Sequence, residues 1–152
     1  MTSSLISWWN RAQNFPAGPW IFARVLGFAV PYTGTIRPKI LELRPGYAKV
    51  ALKDRRRVRN HLKSVHAIAL MNLGEFSTGM ALMAALSPNA RAILTNLSIQ
   101  FGKKARGLIT AECCLEPIDE TVRGEYQFIS TLRNASGEVV STATATWLVG
   151  PK

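Results

Sequence analysis

A single carboxylate, Glu75, interrupts the apolar segment that runs from Ala67 to Leu86. The only other titratable side chain between Ser64 and Ala90 is His66. A buried carboxylate is costly unless a hydrogen bond or a cation holds it, or unless burial tunes it to act as a general base or nucleophile. Glu75 is therefore the first candidate for a catalytic residue. A structural acid, held by a neighbouring polar group or an arginine, is the alternative interpretation.

Three residues near Glu75 extend the polar surface of the same segment. With about 100° of rotation per residue, Asn72, Thr78 and Gly79 lie beside Glu75 on one helix face. Gly79 leaves room next to the carboxylate for another molecule. His66 comes nine residues before Glu75, which places the two side chains on opposite sides of a helix and roughly 13–14 Å apart along its axis. A two-fold dimer could bring them together, with Glu75 from one chain and the His66 end of the helix from the other.

The chain is strongly basic, with 19 Lys and Arg against 9 Asp and Glu and a formal net charge of +10. The excess is densest at Arg55, Arg56, Arg57 and Arg59. It indicates an anionic partner, which could be nucleic acid, an acidic membrane or a phosphorylated small molecule. The sequence has no zinc-finger, RRM or KH signature, and its aromatic residues cluster at 8–28 rather than among the arginines, so we do not expect a nucleic-acid binder. A solvated basic edge is the alternative for the arginines.

The order of sequence patterns predicts the elements that position these residues. Trp, Phe and Pro in residues 1–30 indicate an N-terminal helical segment of one or two short helices. Apolar residues from Ile36 to Leu52 indicate two strands around a Pro45–Gly46 turn. The segment from Val65 to Leu86 is predicted to be one long helix. Four further strands are predicted near Ile93–Phe101, Gly107–Leu115, Val122–Leu132 and Val139–Val149.

These elements predict an α+β fold in which an antiparallel sheet wraps around one long central helix. Strands joined by tight turns pair antiparallel, and the sheet must cover the apolar helix. The length fits a single domain over residues 1–152. A helix that is apolar nearly all round needs cover on more than one side, which a second copy of the chain could supply.

Metal and cofactor chemistry find little support in the sequence. Cys113 and Cys114 are adjacent and point to opposite faces of a strand, so they are poorly placed to pair. His61 and His66 complete no tetrahedral metal set with them, and there is no glycine-rich phosphate loop. We therefore expect neither a metal nor a bound cofactor. The N-terminus lacks a secretory signal, and Glu75 lies in the middle of the apolar segment, so we expect no transmembrane helix and a cytoplasmic protein.

The aromatic residues near the N-terminus have two interpretations. Contact with a membrane surface is one of them, because tryptophan and arginine occur together there. The residues concerned are Trp8, Trp9, Arg11, Trp20, Phe22 and Arg24. Packing over the sheet, or covering an apolar pocket, is the interpretation that we favour.

Asn60, His66 and Glu75, spaced by six and nine residues at the start of a long apolar helix, resemble the motif of the hotdog-fold thioesterases. The match is closest to the phenylacetate-pathway, PaaI-like branch, whose pattern is Asn, then His-Gly-Gly, then Asp or Glu nine residues after the His. The segment from Arg59 to Glu75 also resembles a branch of that superfamily known only as a domain of unknown function. Residues 95–101 and 134–140 resemble the later strands and last hairpin of the family, and the predicted order of elements agrees.

This resemblance implies a hydrolase of acyl-CoA thioesters, built as a homodimer or a dimer of dimers with active sites at the subunit interface. Coenzyme A would be part of the substrate rather than a cofactor. Glu75 would be the general base or nucleophile. The backbone N–H of Ala67 would polarise the thioester carbonyl, since a helix N-terminus favours a developing oxyanion. Asn60 and His66 would shape the loop and hydrogen-bond water or substrate, and Thr78 would position water.

The resemblance, taken with the helix face around Glu75 and the arginine cluster, predicts a set of residues that border the substrate. These are Arg55, Arg56, Arg57, Arg59, Ile68, Asn72 and Gly79. Guanidinium groups pair well with phosphate oxygens, so one or two of the four arginines would contact coenzyme A. Neighbours on an extended chain point to opposite faces, so all four cannot share one ligand.

The sequence departs from the family pattern at His66-Ala67-Ile68, where the family has His-Gly-Gly. Ile68 adds a branched side chain where the substrate approaches the backbone, whereas the Ala67 N–H is retained. A different acyl group, a slower enzyme or binding without hydrolysis would each be consistent with this change. The alternative function is therefore a non-catalytic acyl-CoA or lipid-binding protein on the same fold. Acyl dehydration or hydration is a further alternative, which the thioesterase-type spacing disfavours.

Overall fold

The computed structural model describes residues 3–152 and begins with helices α1 (Ser4–Gln13) and α2 (Gly18–Ala29). The Ser3 hydroxyl accepts a hydrogen bond from the Ile6 N–H at 3.4 Å and so caps α1. Pro19 stands in the first turn of α2, where its missing N–H costs nothing. The predicted N-terminal helices are therefore confirmed.

A third helix, α3 (Pro31–Ile36), corrects the sequence prediction at Ile36, which ends this helix instead of beginning a strand. Pro31 starts the helix with a fixed φ. Arg37 ends it in the left-handed conformation, with φ at 50°. The apolar spacing around Ile36 fits a strand as well as a helix. Pro31 and the left-handed Arg37 decide in favour of the helix.

The six strands form one antiparallel sheet in the order β1-β2-β4-β5-β6-β3. Gly46, with φ at 75°, turns the first hairpin where the sequence predicts it. Cys113 is buried and Cys114 exposed on opposite faces of one strand, as predicted. The strands are β1 (Lys39–Arg44), β2 (Tyr47–Lys53), β3 (Ala90–Phe101), β4 (Leu108–Cys114), β5 (Gly124–Arg133) and β6 (Val139–Pro151).

The long helix α4 (Ala67–Ala85) lies in the concave face of this sheet. Gly74 allows the closest approach, because a Cβ at that position would stand 2.5 Å from the Cβ of Ala143 on β6. Helices α1 and α3 also contact α4, so the chain itself supplies part of the second cover that an all-apolar helix needs. The helix is long and apolar enough to cross a membrane, but 67% of its apolar 18-residue window is buried inside the fold. The α+β architecture with a wrapped central helix is thus confirmed.

Candidate active site

Glu75 and Gly79 open from α4 into a cavity of about 510 Å³, which we call the carboxylate cavity. Its walls are mostly apolar side chains of α4, of the N-terminal helices and of the strands β3 and β6. Among them are Leu26, Val30, Phe76, Met80, Met83 and Trp147. The volume is in the range of small-molecule sites, and an apolar lining suits a hydrocarbon chain. The N-terminal helices therefore cover an apolar pocket, as the favoured interpretation of that segment predicts.

The Glu75 carboxylate is the charged group of this cavity. Burial raises its pKa above the ordinary carboxyl value, and burial is the only cause of the shift. Within residues 3–152 no hydrogen bond or ion pair holds the carboxylate. In the described part of the chain, no arginine or neighbouring polar group therefore supplies the partner that a structural acid would need. An unpaired, partly desolvated carboxylate is suited to accept a proton or to attack a carbonyl.

Gly79 and Thr78 have different relations to the carboxylate. A Cβ on Gly79 would stand 3.6 Å from Glu75 Oε1 and 3.4 Å from the Trp147 ring, so the missing side chain leaves space at the acid. Thr78 is fully buried. Its hydroxyl donates to the Glu75 backbone carbonyl at 2.9 Å and accepts from the Trp147 indole N–H at 3.2 Å. Thr78 thus positions the indole that forms one wall of the cavity.

Asn72 lies one turn before Glu75 but does not line the carboxylate cavity. Its Oδ1 accepts a hydrogen bond at 3.0 Å from the hydroxyl of Thr33 on α3. Its Nδ2 is buried and has no acceptor among residues 3–152. Thr33 lines the carboxylate cavity, whereas Asn72 lines a second cavity on the other side. The Thr33–Asn72 pair therefore separates the two.

The second cavity, about 800 Å³, is an open groove that we call the arginine groove. Arg37, Arg57 and Arg59 line it together with His66 and Ile68. The structure thus brings His66 and Ile68 together with two of the predicted arginines, and keeps them apart from Glu75. Guanidinium groups around an open groove can bind phosphate oxygens.

His66 and Asn60 hold the backbone that leads into α4. His66 is the N-cap residue, and its Nδ1 accepts the Ile68 N–H at 3.1 Å. The Asn60 side-chain oxygen accepts from the N–H groups of Leu62 and Ser64 at 3.0 and 3.1 Å. Asn60 therefore closes the loop before the helix.

The Ala67 N–H is the first donor of α4 and finds no protein acceptor in the described chain. The first N–H groups of a helix have no intrahelical partner, and the helix dipole makes their end electropositive. The neighbouring Ile68 N–H is already used by His66. Ala67 thus retains a free donor for an oxygen of a ligand.

The four predicted arginines have separate environments. Arg55 donates to the backbone carbonyl of Thr35 at 3.1 Å, and burial, followed by the charges of Arg37 and Arg57, lowers its pKa. Arg56 is exposed and lies outside the groove. Arg57 faces the groove.

Arg59 also lines the groove but is paired with Asp54 at 2.6 Å. The hydrogen bond from Arg59, together with one from the Gly107 N–H, lowers the pKa of Asp54 below its usual range. Arg59 is therefore partly neutralised, and Arg57 is the predicted arginine that is best placed to bind an anion.

Sequence reasoning missed Trp147, Thr33 and Arg37. Trp147 had a signal, because it shares the inward face of β6 with Ala143 and Ala145, where a large side chain among small ones must fill a space. Thr33 and Arg37 had none. Their positions depend on how α3 packs on α4, and no spacing in the sequence reports that contact.

The described residues contain no group of three or more His, Cys, Asp or Glu side chains that could hold a metal ion. The expected absence of a metal and of a cofactor stays a prediction from the sequence.

Comparison with known proteins identifies relatives that match most of the chain. Residues 18–149 match the family model described as "Domain of unknown function (DUF4442)". A structural genomics protein, APC5556, superposes with a TM-score of 0.84 at 30% identity, over 97% of this chain and 98% of that one. A search of curated proteins finds no match.

Two more distant structures carry functional descriptions. Pseudomonas aeruginosa PA5026, described as a "Probable Thioesterase", has a TM-score of 0.77 and 23% identity over 88% of this chain and 97% of that one. The phenylacetic acid degradation protein PaaI from Thermus thermophilus has a TM-score of 0.66 and 18% identity over 78% and 97%. These likenesses confirm the hotdog fold and the resemblance to PaaI-like thioesterases. With most of its length matched by the family model, this hotdog-fold chain belongs to the DUF4442 family.

Proposed function

We propose that the protein is an acyl-CoA thioesterase in which Glu75 is the general base or nucleophile. The observation that carries the proposal is the environment of Glu75: an unpaired carboxylate, with a pKa raised by burial, in an apolar cavity. The thioesterase descriptions of distant structural relatives support the same reaction class.

In the proposed reaction, the acyl chain occupies the carboxylate cavity and the thioester carbonyl lies at its polar end. Glu75 takes a proton from a water that attacks the carbonyl carbon, or attacks that carbon itself to form an anhydride that water then hydrolyses. The C–S bond breaks, and the products are a carboxylic acid and the coenzyme A thiol. A donor such as the free Ala67 N–H stabilises the negative charge on the carbonyl oxygen.

Glu75 and Ala67 are eight residues apart on α4, which is about 12 Å along the axis. One protomer therefore cannot bring both to the same carbonyl, and the proposal includes a homodimer in which each site takes Glu75 from one protomer and Ala67 from its partner. β3 is 12 residues long and lies at the edge of the sheet, where a second copy can pair with it. A dimer of dimers is the further possibility implied by the family.

The arginine groove is proposed to bind the phosphates of coenzyme A. Arg57 and Arg37 line it, and neither has an acidic partner among residues 3–152. Guanidinium groups bind phosphate oxygens through paired N–H donors. The cytoplasmic location expected from the sequence stays a prediction and fits an enzyme that acts on coenzyme A esters.

A non-catalytic acyl-CoA or lipid-binding protein is the second candidate. The observation that favours it is Ile68, which is 48% exposed and projects into the arginine groove where the family pattern has glycine. A branched side chain there narrows the path of a ligand to the first turn of α4. Binding would persist in such a protein while the carbonyl failed to reach its oxyanion donor.

The test is thiol release from short, medium, long and aromatic acyl-CoA esters by the wild type and by Glu75→Gln. Turnover should fall at least about hundredfold in the variant, because the amide neither accepts the proton nor attacks the carbonyl. Glu116→Gln, at an exposed carboxylate far along the chain, is the matched control and should keep full activity.

Two outcomes would reject the assignment. Near-normal turnover by Glu75→Gln would remove Glu75 from the chemistry. No release from any ester by the wild type, with acyl-CoA binding still measurable by calorimetry, would establish the binding protein instead. In that case Ile68→Gly, which restores the glycine of the family pattern, is the variant to assay next.

A further inference from the structure

The outward side of helix α2 is an exposed apolar surface, which we call the α2 outer face. Trp20 is 64% exposed, Ile21 52%, Val25 48% and Phe28 78%. Arg24 is the only charged residue among them. At 3.6 residues per turn these five side chains cover an arc of about 140° along the whole helix. A continuous exposed apolar surface of this kind marks a site of contact with another protein or with a membrane.

The opposite side of α2 is already used inside the fold. Phe22 is buried and packs edge-on against Trp9 of α1, with ring centroids 5.4 Å apart. Leu26 lines the carboxylate cavity. The α2 outer face therefore does not pack on its own chain. Only another molecule or a membrane can remove this face from contact with water.

The charge of this part of the chain indicates the occupant. Residues 1–41 contain no Asp or Glu, whereas Arg11, Arg24, Arg37 and Lys39 are positive. The Arg24 guanidinium lies 5.8 Å from the centre of the Trp20 ring, which keeps a cation at the level of the exposed aromatic surface. Tryptophan and arginine side chains both favour the headgroup region of a bilayer, because each has an apolar part and a polar end.

We propose that the α2 outer face docks the protein on an anionic lipid surface, with Trp20 and Phe28 in the interfacial layer and Arg24 at the headgroups. A second copy of this chain fits the face less well. A two-fold contact would place the same positive segment against itself, with no carboxylate in residues 1–41 to offset the repulsion. The negative potential of an acidic leaflet complements it.

Docking in this way would bring the carboxylate cavity close to the lipid. Leu26 and Val30, at the last turn and end of α2, form part of the cavity wall. An apolar chain delivered from the bilayer would therefore have a short path to Glu75. The docking surface itself stands without the proposed thioesterase activity, because it depends only on exposure and charge.

The experiment is co-sedimentation of the full chain with vesicles of phosphatidylglycerol and phosphatidylcholine, and with vesicles of phosphatidylcholine alone. The wild type should bind the anionic vesicles, and binding should weaken with added salt. The double variant Trp20→Ser with Phe28→Ser should lower partitioning at least about tenfold, since two aromatic side chains no longer enter the interface. Arg24→Glu, a single exposed charge reversal, should lower it at least about fivefold.

The matched control is Val122→Ser with Ile129→Ser, which removes two apolar side chains that are 63% and 56% exposed away from α2. It should bind vesicles as the wild type does. Absence of binding to anionic vesicles, or equal binding by the wild type and both α2 variants, would overturn the proposal. A change of oligomeric state in the α2 variants, measured by light scattering, without vesicle binding by the wild type would assign the face to a second copy instead.

Discussion

The two cavities beside α4 differ in the chemistry of their walls. The carboxylate cavity is apolar apart from Glu75 and a few hydroxyl groups, whereas the arginine groove is open and basic. The Thr33–Asn72 hydrogen bond separates them. An arginine beside Glu75 would lower the pKa of the carboxyl and bind it in an ion pair. The separation therefore keeps the acid unpaired, while Arg37 and Arg57 line the other cavity and remain available for an anionic ligand.

The same difference explains why burial alone shifts the pKa of Glu75 upward. Asp54 shows the opposite case, because Arg59 and the Gly107 N–H stabilise its charged form. One carboxylate is prepared to exchange a proton, and the other is fixed as a structural anion. Changes on the two sides should therefore have different consequences for activity and for stability.

After the loss of turnover in Glu75→Gln, the largest effect is expected from Gly79→Val, which fills the space between Glu75 and Trp147. Displacing the thioester or the water by about 1 Å from the acid can lower the reaction rate about hundredfold. We expect kcat to fall by that order while the fold persists, as measured by thiol release and circular dichroism. Gly102→Val is the control, because a Cβ there has nothing nearer than 3.8 Å. Unchanged turnover by Gly79→Val would place the substrate elsewhere.

The fold was largely predictable because its signals are local and repeated. The Pro45–Gly46 turn, the strand periodicity and the one long apolar segment each specify an element by themselves. Helix α3 was missed because Ile36 fits either period, and the deciding features are the Pro31 start and the left-handed Arg37. Local pattern determines the order of elements, and turn chemistry determines their ends.

The candidate site was predictable only in part. Glu75 could be singled out because an acid inside an apolar helix is conspicuous in any sequence. Helical geometry placed Asn72 on the same helix face as Glu75. In the structure the Asn72 side chain is hydrogen-bonded to Thr33 of α3 and lines the arginine groove instead. The contributions of Arg37 and Trp147 come from elements distant in sequence, so only tertiary packing reveals them.

A smaller effect is expected from Asp54→Ala, which tests the carboxylate that is fixed by its partners. The variant loses the hydrogen bonds from Arg59 and the Gly107 N–H, at a cost of about 1–2 kcal/mol of unfolding free energy. Because its pKa is lowered in the fold, Asp54 stabilises the wild type above the ordinary pKa of aspartate, and this stability is lost as the pH falls. Urea unfolding at neutral and acidic pH measures the difference.

The control for Asp54→Ala is Glu42→Ala, at an exposed ion pair with Arg44. Exposed pairs contribute little to stability, so this variant should unfold nearly as the wild type does. If Glu42→Ala lost as much unfolding free energy as Asp54→Ala, the hydrogen bonds that hold Asp54 would contribute no more than an exposed ion pair.

Next in size is Arg57→Ala, which tests the groove. If Arg57 contacts a phosphate of coenzyme A in the ground and transition states alike, KM should rise about fivefold with kcat unchanged. Arg56→Ala removes the same charge from outside the groove and should leave both constants unchanged. Equal effects of the two variants would mean that net charge, rather than a contact in the groove, attracts the ligand.

The smallest effect, and the one most specific to the carboxylate cavity, is the stability of Glu75→Gln. Folding favours protonated Glu75 because burial raises its pKa, so the contribution of this group is fully present below the ordinary carboxyl pKa and is lost as the pH rises through the folded value. Glutamine resembles the protonated form at every pH. The variant should therefore match the wild type in acid and have the higher Tm at neutral pH, while Glu116→Gln shows no such divergence. A Glu75→Gln variant that is less stable than the wild type at neutral pH would show that the carboxylate has a partner in the fold. The separation of the acid from the cations across α4 would then have no role in raising the pKa of Glu75.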